Sequence, residues 1–158
     1  MKEETGMDNL DELWLLWNRT SHAVRRAREI ELRQSAGLSF IEAGVLHFTK
    51  TSKDPVTPSV LARLLHREPH TVSGLVSRME KRGLVQRKKN LEKKNLVRVI
   101  VTKKGEEALK KQDKVNIARN ILATSLTERE RDNLEAYLNK LHSRAIELIR
   151  ESQPLPYQ

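Results

Sequence analysis

Cysteine is absent from this chain of 158 residues, which excludes thiolate metal sites, cysteine catalysis and cysteine-based redox sensing within it. Long apolar runs are also absent, since no stretch approaches the roughly 20 residues that a membrane-spanning helix needs. The N-terminal segment MKEETGMDNLDEL is acidic and lacks the apolar core of a secretory signal. We therefore expect a cytoplasmic protein that is long enough to form one domain with a proper core.

Residues arranged for chemistry are scarce as well. The sequence has no glycine-rich phosphate loop and no serine, histidine and aspartate arrangement in a recognisable local context. The histidines are scattered, and a break at Pro69 should keep His66 and His70 off one helix face. We therefore expect no catalytic site, no metal and no cofactor, and we do not predict an enzyme.

Positive charge is concentrated in one third of the chain. Residues 57–104 carry thirteen Lys or Arg against three acids, a net charge of +10, whereas the remaining residues carry 17 basic and 18 acidic side chains. Charge confined in this way is typical of a surface that binds a polyanion. A solvated lysine-rich face is the alternative that charge alone leaves open.

Apolar periodicity predicts two helices before the basic segment. The first is expected over residues 8–35. The second begins at a capping box of Ser39 and Glu42 and runs to about Thr51. Its expected core positions are Phe40, Ile41, Val45, Leu46 and Phe48.

Two more helices are expected after the basic segment. One is capped by Thr102 and runs to about Ser125, and a second capping box, Thr127 with Glu130, begins the last helix. The last helix has apolar residues at alternating steps of four and three, which is a heptad-like pattern. These residues are Leu134, Leu138, Leu141, Ala145 and Leu148.

The basic segment itself begins with helix-turn-helix proportions. Thr57 and Pro58 begin a short helix, while Glu68 and Pro69 begin a second helix that ends at Gly83. The second helix is expected to bury Val72, Leu75, Val76 and Met79. Its outward face would then carry His70, Thr71, Ser73, Gly74, Ser77 and Arg78. Such residues suit a helix that contacts base edges in the major groove, and an ordinary surface helix is the alternative.

Two runs with β-strand character, residues 84–87 and 96–102, follow and predict an antiparallel hairpin. A hairpin directly after a helix-turn-helix is a wing. Its tip is strongly basic and includes Lys88, Lys89, Lys93 and Lys94. The tip suits the DNA backbone or the minor groove, and a charged loop that blocks aggregation is the alternative.

The stretch TVSGLVSRMEKRGLVQR at Thr71–Arg87, followed by VTKKG at Val101–Gly105, resembles the MarR family of winged helix-turn-helix regulators. The resemblance covers roughly residues 8–150. It implies a mainly helical fold with a small β-hairpin wing. It also implies a homodimer that binds a palindromic operator in double-stranded DNA and represses transcription. Many relatives release DNA when a small ligand binds between the dimer region and the winged helix.

By this resemblance, residues 1–37 and 105–158 form the dimer contacts, residues 38–104 form the DNA-binding part, and all three belong to one compact unit. The expected dimer contacts are Leu10, Leu13, Trp14, Trp17, Leu134, Leu138, Leu141 and Leu148. Trp14 and Trp17 also allow the alternative of a small-molecule cavity.

The expected contacts to the DNA backbone are Thr57, Ser59, Arg87 and the lysines of the tip. The family's wing usually carries an aspartate followed by arginine, where this chain has Lys93, Lys94 and Asn95. We therefore expect phosphate attraction from this tip, and whether it enters the minor groove stays open. Two other functions remain: an architectural protein that binds any DNA, and a protein-interaction module that has lost DNA binding.

Overall fold

The computed structural model describes residues 4–89, 97–114 and 116–152. Within them the chain forms seven helices and a two-stranded sheet, which confirms the prediction of a mainly helical fold with a small hairpin. In chain order these elements are α1 (Glu4–Ala36), α2 (Phe40–Thr51), α3 (Pro58–Leu64), α4 (Pro69–Lys81), β1 (Val85–Lys89), β2 (Val97–Val101), α5 (Lys103–Lys114), α6 (Ile117–Ser125) and α7 (Glu128–Ser152). The chain divides into two compact units, one up to Ala118 and one from Arg119 onward.

The turn from α1 to α2 depends on a glycine and a capping box. Gly37 has a φ of 64°, a left-handed conformation that glycine adopts without steric cost. The predicted capping box follows it: Ser39 Oγ accepts the Glu42 N–H at 3.3 Å, and the Glu42 carboxylate accepts the Ser39 N–H at 2.9 Å. Two backbone donors at the start of α2 are thereby satisfied.

The prediction that Phe40 is buried is wrong, since 42% of this residue is exposed. Phe40 is the first residue of α2, and the buried side of the helix is formed by Glu42, Ala43, Val45 and Leu46 instead. The guanidinium of Arg25 lies 5.4 Å from the centroid of the Phe40 ring. The aromatic side chain therefore packs beneath a cation at the surface.

A carboxylate ties α1 to the start of α2. Glu29 accepts the Phe40 N–H at 2.6 Å and the Arg33 Nε–H at 2.8 Å. Burial alone would raise the pKa of Glu29, but the hydrogen bonds from Phe40 and Arg33 hold it below the ordinary value. The ionised form of Glu29 thus stabilises this junction.

One apolar core joins α1 and α2 to the helix-turn-helix and the hairpin. Fully buried side chains come from α1, α2, α3 and the hairpin, and α4 contributes the most. The four inward residues predicted for α4, namely Val72, Leu75, Val76 and Met79, are all buried. The core therefore fixes which face of α4 points outward.

The hairpin has the predicted antiparallel pairing, with Val85 opposite Val101. Its second strand also pairs with the loop before α3, because the Val99 N–H donates to the Val56 carbonyl at 2.8 Å. The base of the wing is thus held on both sides.

Thr102 joins the hairpin to α5. Its hydroxyl donates to the Gly83 carbonyl at 2.6 Å and accepts the Gly105 N–H at 3.2 Å, so it caps α5 as predicted. Position 105 has no room for a side chain, since a Cβ there would lie 2.2 Å from the Leu84 carbonyl oxygen. Close packing of α5 against the hairpin depends on this glycine.

The prediction of one continuous helix to about Ser125 is wrong, because α5 and α6 are separate helices. The Ile117 N–H begins α6 by donating to the Glu31 carboxylate of α1 at 3.0 Å. The same carboxylate oxygen accepts from Arg28 at 2.7 Å in a buried ion pair. Val115, which the prediction placed inside the helix, lies outside the described residues.

In the second unit, α7 begins with the predicted capping box. The Thr127 N–H donates to the Glu130 carboxylate at 2.8 Å, and the Glu130 N–H donates to Thr127 Oγ1 at 3.4 Å. The hydrogen bond from the Thr127 backbone lowers the pKa of Glu130. Across the described part of the chain, none of the helices has both the length and the apolar character needed to cross a bilayer.

Candidate nucleic-acid interface

The outward face of α4 carries the side chains that were predicted to contact DNA. His70, Thr71, Ser73 and Arg78 are exposed, while Gly74 and Ser77 are half-buried. The core residues of α4 occupy the opposite face. A surface of hydroxyls, one glycine and one arginine can approach a groove floor closely and donate hydrogen bonds to base edges.

Gly74 lies in the middle of this face, where glycine weakens a helix by about 1 kcal/mol relative to alanine. A Cβ at Gly74 would make only an ordinary contact, 3.6 Å from Arg78 Nη1. The space around Gly74 would therefore admit alanine, in contrast to Gly105. What the glycine provides is bare backbone on the outward face.

The start of α4 borders a cleft. Its residues come from the first turn of α3, the first turns of α4 and the start of β2: they are Thr57, Pro58, Ser59, Pro69, His70, Ser73 and Val97. Glu68 occupies the cap position of α4 without a side-chain hydrogen bond to the helix. The first N–H groups of α4 are therefore not hydrogen-bonded by that side chain.

The two residues at the start of α3 differ in their accessibility. Thr57 is 8% exposed, and its hydroxyl accepts the Val60 N–H at 3.2 Å. Ser59 is exposed, and its hydroxyl lies 2.9 Å from that of Thr57. Both residues were predicted to contact the DNA backbone: the Ser59 side chain is accessible to a phosphate, whereas Thr57 acts as the helix cap.

Arg87 of β1 is directed at α4. Its Nη1 donates to Ser77 Oγ at 2.9 Å and forms an ion pair with Glu80 at 3.1 Å, and its Nη2 donates to the Ser73 carbonyl at 3.0 Å. The Arg87 backbone N–H donates to the other Glu80 oxygen at 2.7 Å. Glu80 was missed by the sequence reasoning, although its position before the turn at Gly83 placed it close to Arg87.

These contacts fill most of the hydrogen-bonding capacity of Ser77. Its hydroxyl donates to the Ser73 carbonyl at 3.0 Å and accepts from Arg87. A serine hydroxyl has one proton and two lone pairs, so one lone pair of Ser77 remains. That lone pair can accept a hydrogen bond from a base amino group.

The wing is described only at its base. Lys88 and Lys89 are exposed on β1, and Lys88 lies opposite Arg98 of β2. Lys93 and Lys94, the other two predicted wing residues, lie outside the described residues. The base of the hairpin, whose first strand contacts α4, thus carries exposed cationic side chains.

The predicted dimer contacts are apolar side chains that this single chain leaves uncovered. In the first unit Leu10, Leu13, Trp14 and Trp17 of α1 are exposed, with Trp14 at 62%. In the second unit Leu138, Leu141 and Leu148 of α7 are exposed, and Leu134 is half-buried. Exposed apolar residues in this number are typical of a protein–protein interface.

The described residues contain no group of three His, Asp or Glu placed to hold a metal ion. The chemistry available to the outward face of α4 is hydrogen bonding and positive charge. A helix-turn-helix followed by a hairpin wing defines the chain as a winged helix-turn-helix protein.

Comparison with known proteins identifies the family. A profile of the MarR family matches residues 36–94. The organohalide-sensing RdhR-CbdbA1625 transcriptional regulator, crystallised with 2,4-dichlorophenol, is 30% identical with a TM-score of 0.78, and the match covers 100% of this chain and 96% of the other. The chain belongs to the MarR family of transcriptional regulators, whose described members are regulators and not enzymes.

More distant structures share the fold. MepR of S. aureus in complex with DNA is 21% identical with a TM-score of 0.74, over 82% of this chain and 96% of the other. CouR of Rhodococcus jostii RHA1, bound to p-coumaroyl-CoA, is 20% identical with a TM-score of 0.72, over 83% and 92%. No curated protein sequence matches the chain.

Proposed function

We propose that the protein is a sequence-specific transcriptional repressor that binds a palindromic operator in double-stranded DNA as a homodimer. A small organic effector releases it. The observation that carries the proposal is the outward face of α4, which combines small hydroxyl residues with Arg78 beside a cationic hairpin. A role on DNA agrees with the cytoplasmic location expected from the sequence.

In this proposal α4 enters the major groove. His70, Thr71 and Ser73 lie in its first turns, where the helix dipole and backbone N–H groups also attract a phosphate. Arg78 donates to a phosphate or to the two acceptors of a guanine. Ser59 and the lysines of the wing hold the backbone on either side of the groove.

Dimerisation is proposed through α1, α6 and α7, which lie largely within the predicted dimerisation ranges of residues 1–37 and 105–158. Support comes from the uncovered apolar residues of α1 and α7, which a second copy would bury. A twofold pair of α4 helices would face successive major grooves about 34 Å apart, which makes the operator palindromic.

The effector part of the proposal is supported by two relatives in complex with small molecules, 2,4-dichlorophenol in one and p-coumaroyl-CoA in the other. The chain's two tryptophans, Trp14 and Trp17, both lie on α1. Quenching or enhancement of their fluorescence by a phenol or an aromatic acid, together with release of DNA, is the expected sign of effector binding.

The salt dependence of binding tests the DNA function. A duplex is first selected by the protein from a randomised library, and its dissociation constant is then measured over a range of salt concentrations. If a dimer neutralises about eight phosphates, log affinity falls with log salt at a slope of about −7. A random duplex of the same length should bind much more weakly.

The other outcomes identify the alternatives. Equal affinity for the selected and the random duplex, with the same salt slope, makes the protein an architectural DNA binder. Failure to bind either duplex at low salt makes it a protein-interaction module whose winged helix has lost its function.

A further inference from the structure

The hydrogen-bond donors of the Arg87 guanidinium are used mainly within the protein, which leaves few of them for a DNA phosphate. Its guanidinium reaches Ser77, Glu80 and the Ser73 carbonyl at 2.9 to 3.1 Å. Only 26% of its side chain is exposed. Charge-assisted hydrogen bonds of this length are the stronger kind in proteins. The cation is thus committed to α4.

Glu80 accepts hydrogen bonds from both the backbone and the side chain of Arg87. One carboxylate oxygen accepts the Arg87 backbone N–H at 2.7 Å, and the other accepts from its guanidinium at 3.1 Å. β1 is thereby fixed to α4 by backbone and side chain together. The pairing also neutralises the charge of Arg87, which reduces its attraction for a phosphate.

Two of the three α4 residues that Arg87 reaches, Ser73 and Ser77, belong to the proposed DNA-binding face. Ser73 and Ser77 stand one helical turn apart, and the Ser77 hydroxyl bridges them by donating to the Ser73 carbonyl at 3.0 Å. With its proton committed there and one lone pair committed to Arg87, the hydroxyl has a fixed orientation. Its free lone pair suits the amino group of adenine or cytosine.

We propose that Arg87, paired with Glu80, is a positioning residue for sequence recognition that orients the Ser73–Ser77 edge of α4, and that it is not a phosphate ligand. The inference rests on the proposed DNA function. It assigns Ser77 the role of a hydrogen-bond acceptor, so the base that it contacts carries an amino group in the groove.

The test uses three variants, namely Arg87→Gln, Glu80→Gln and the double variant of both. Lys88→Gln is the control. This control removes the same charge from an exposed neighbour on β1. Dissociation constants are measured for the duplex that the wild-type protein selects and for a random duplex of equal length. If the wild-type protein does not discriminate between these duplexes, the proposed function has failed before the role of Arg87 is tested.

Given discrimination by the wild-type protein, Arg87→Gln and Glu80→Gln should each reduce the ratio of the two affinities on the order of tenfold. The double variant should discriminate between the two duplexes as well as either single variant does, because all three variants lose the same Arg87–Glu80 pairing. Lys88→Gln should weaken both duplexes in parallel and leave the ratio unchanged.

A different pattern overturns the inference. If Arg87 binds a phosphate, Arg87→Gln weakens both duplexes in parallel, and Glu80→Gln strengthens both by freeing the guanidinium. Arg87→Lys separates the two roles further: lysine keeps the charge, which preserves phosphate binding, but it cannot reach three acceptors at once. We expect Arg87→Lys to lose discrimination, and retained discrimination contradicts the positioning role. Melting curves measured by circular dichroism establish whether each variant is folded. If Arg87→Gln does not fold, the comparison of Glu80→Gln with the wild-type protein provides the test.

Discussion

Two glycines in this chain illustrate how single residues divide between folding and function. Gly105 is needed for space, since an added Cβ would collide with the Leu84 carbonyl oxygen at 2.2 Å. Gly74 has room for a methyl group beside Arg78, so its use on an exposed helix face costs stability without a packing reason. Contact with a groove floor is the explanation that we favour for Gly74.

Gly74→Ala should therefore separate stability from binding. The substitution should stabilise the protein by up to about 1 kcal/mol, because alanine is the better helix former. It should weaken binding to the selected duplex on the order of tenfold, because the added methyl group keeps the backbone away from the bases. Thermal unfolding and a binding titration measure the two effects.

Gly105→Ala serves as the control for that experiment, since it should destabilise the fold by crowding Leu84. Unchanged or tighter DNA binding by a stabilised Gly74→Ala protein would exclude close approach at this position.

Side chains on α4 and on the wing should affect DNA binding in different ways. Ser73→Ala and Arg78→Ala should relax sequence preference, since they remove contacts to base edges. Lys89→Ala should weaken selected and random duplexes alike and make the salt slope shallower by roughly 1 per subunit. Quantitative gel-shift measurements across a set of single-base variants distinguish these patterns. The reverse assignment of effects would mean that α4 is not the helix in the groove.

At the scale of secondary-structure elements, the junction of α1 and α2 should be sensitive to acid. The pKa of Glu29 is lowered by its hydrogen bonds to the Phe40 N–H and to Arg33, against the effect of burial. A lowered folded-state pKa stabilises the protein above the ordinary glutamate pKa of about 4.3. That stabilisation is lost as pH falls through the folded-state value.

Glu29→Gln should therefore narrow the difference in stability between neutral and acidic pH. The variant should be less stable than the wild-type protein at pH 7, and the two should converge below the lowered pKa of Glu29. Urea unfolding at a series of pH values measures this. Parallel curves for the two proteins would contradict a stabilising role for the ionised carboxylate.

Elements were predictable wherever the signal is local in sequence. The inward residues of α4 follow from helical periodicity, and both capping boxes follow from a Ser or Thr and a Glu three residues apart. The separation of α5 from α6 depends on Glu31, which lies 86 residues before Ile117. No local pattern encodes a cap supplied from another helix.

In the candidate site, too, features encoded by local sequence were predictable and features that depend on tertiary contacts were not. The outward residues of α4 could be named from the sequence because its core positions were clear. The contacts of Arg87 could not, because they depend on how the turn at Gly83 brings β1 back alongside α4. The sequence predicts a DNA contact for a basic residue in a basic segment, and the structure adds that Glu80 and two serines surround the Arg87 guanidinium.

For the molecule as a whole, a second copy of the chain is needed to present two α4 helices to one operator. Leu138→Glu should favour the monomer, because it places a charge on the exposed apolar stripe of α7. Asn139→Glu adds the same charge one position along and should leave association intact. Sedimentation velocity at micromolar concentration should give a dimer for the wild-type and control proteins. A wild-type monomer at that concentration would refute the twofold arrangement.

The central claim is that two copies of α4 occupy successive major grooves of one operator. A hydroxyl-radical footprint of the wild-type protein on its selected duplex tests this most directly. We expect two protected regions about 10 base pairs apart, related by twofold symmetry and lying on one face of the DNA. Protection of a single region, or uniform protection along the duplex, would contradict it.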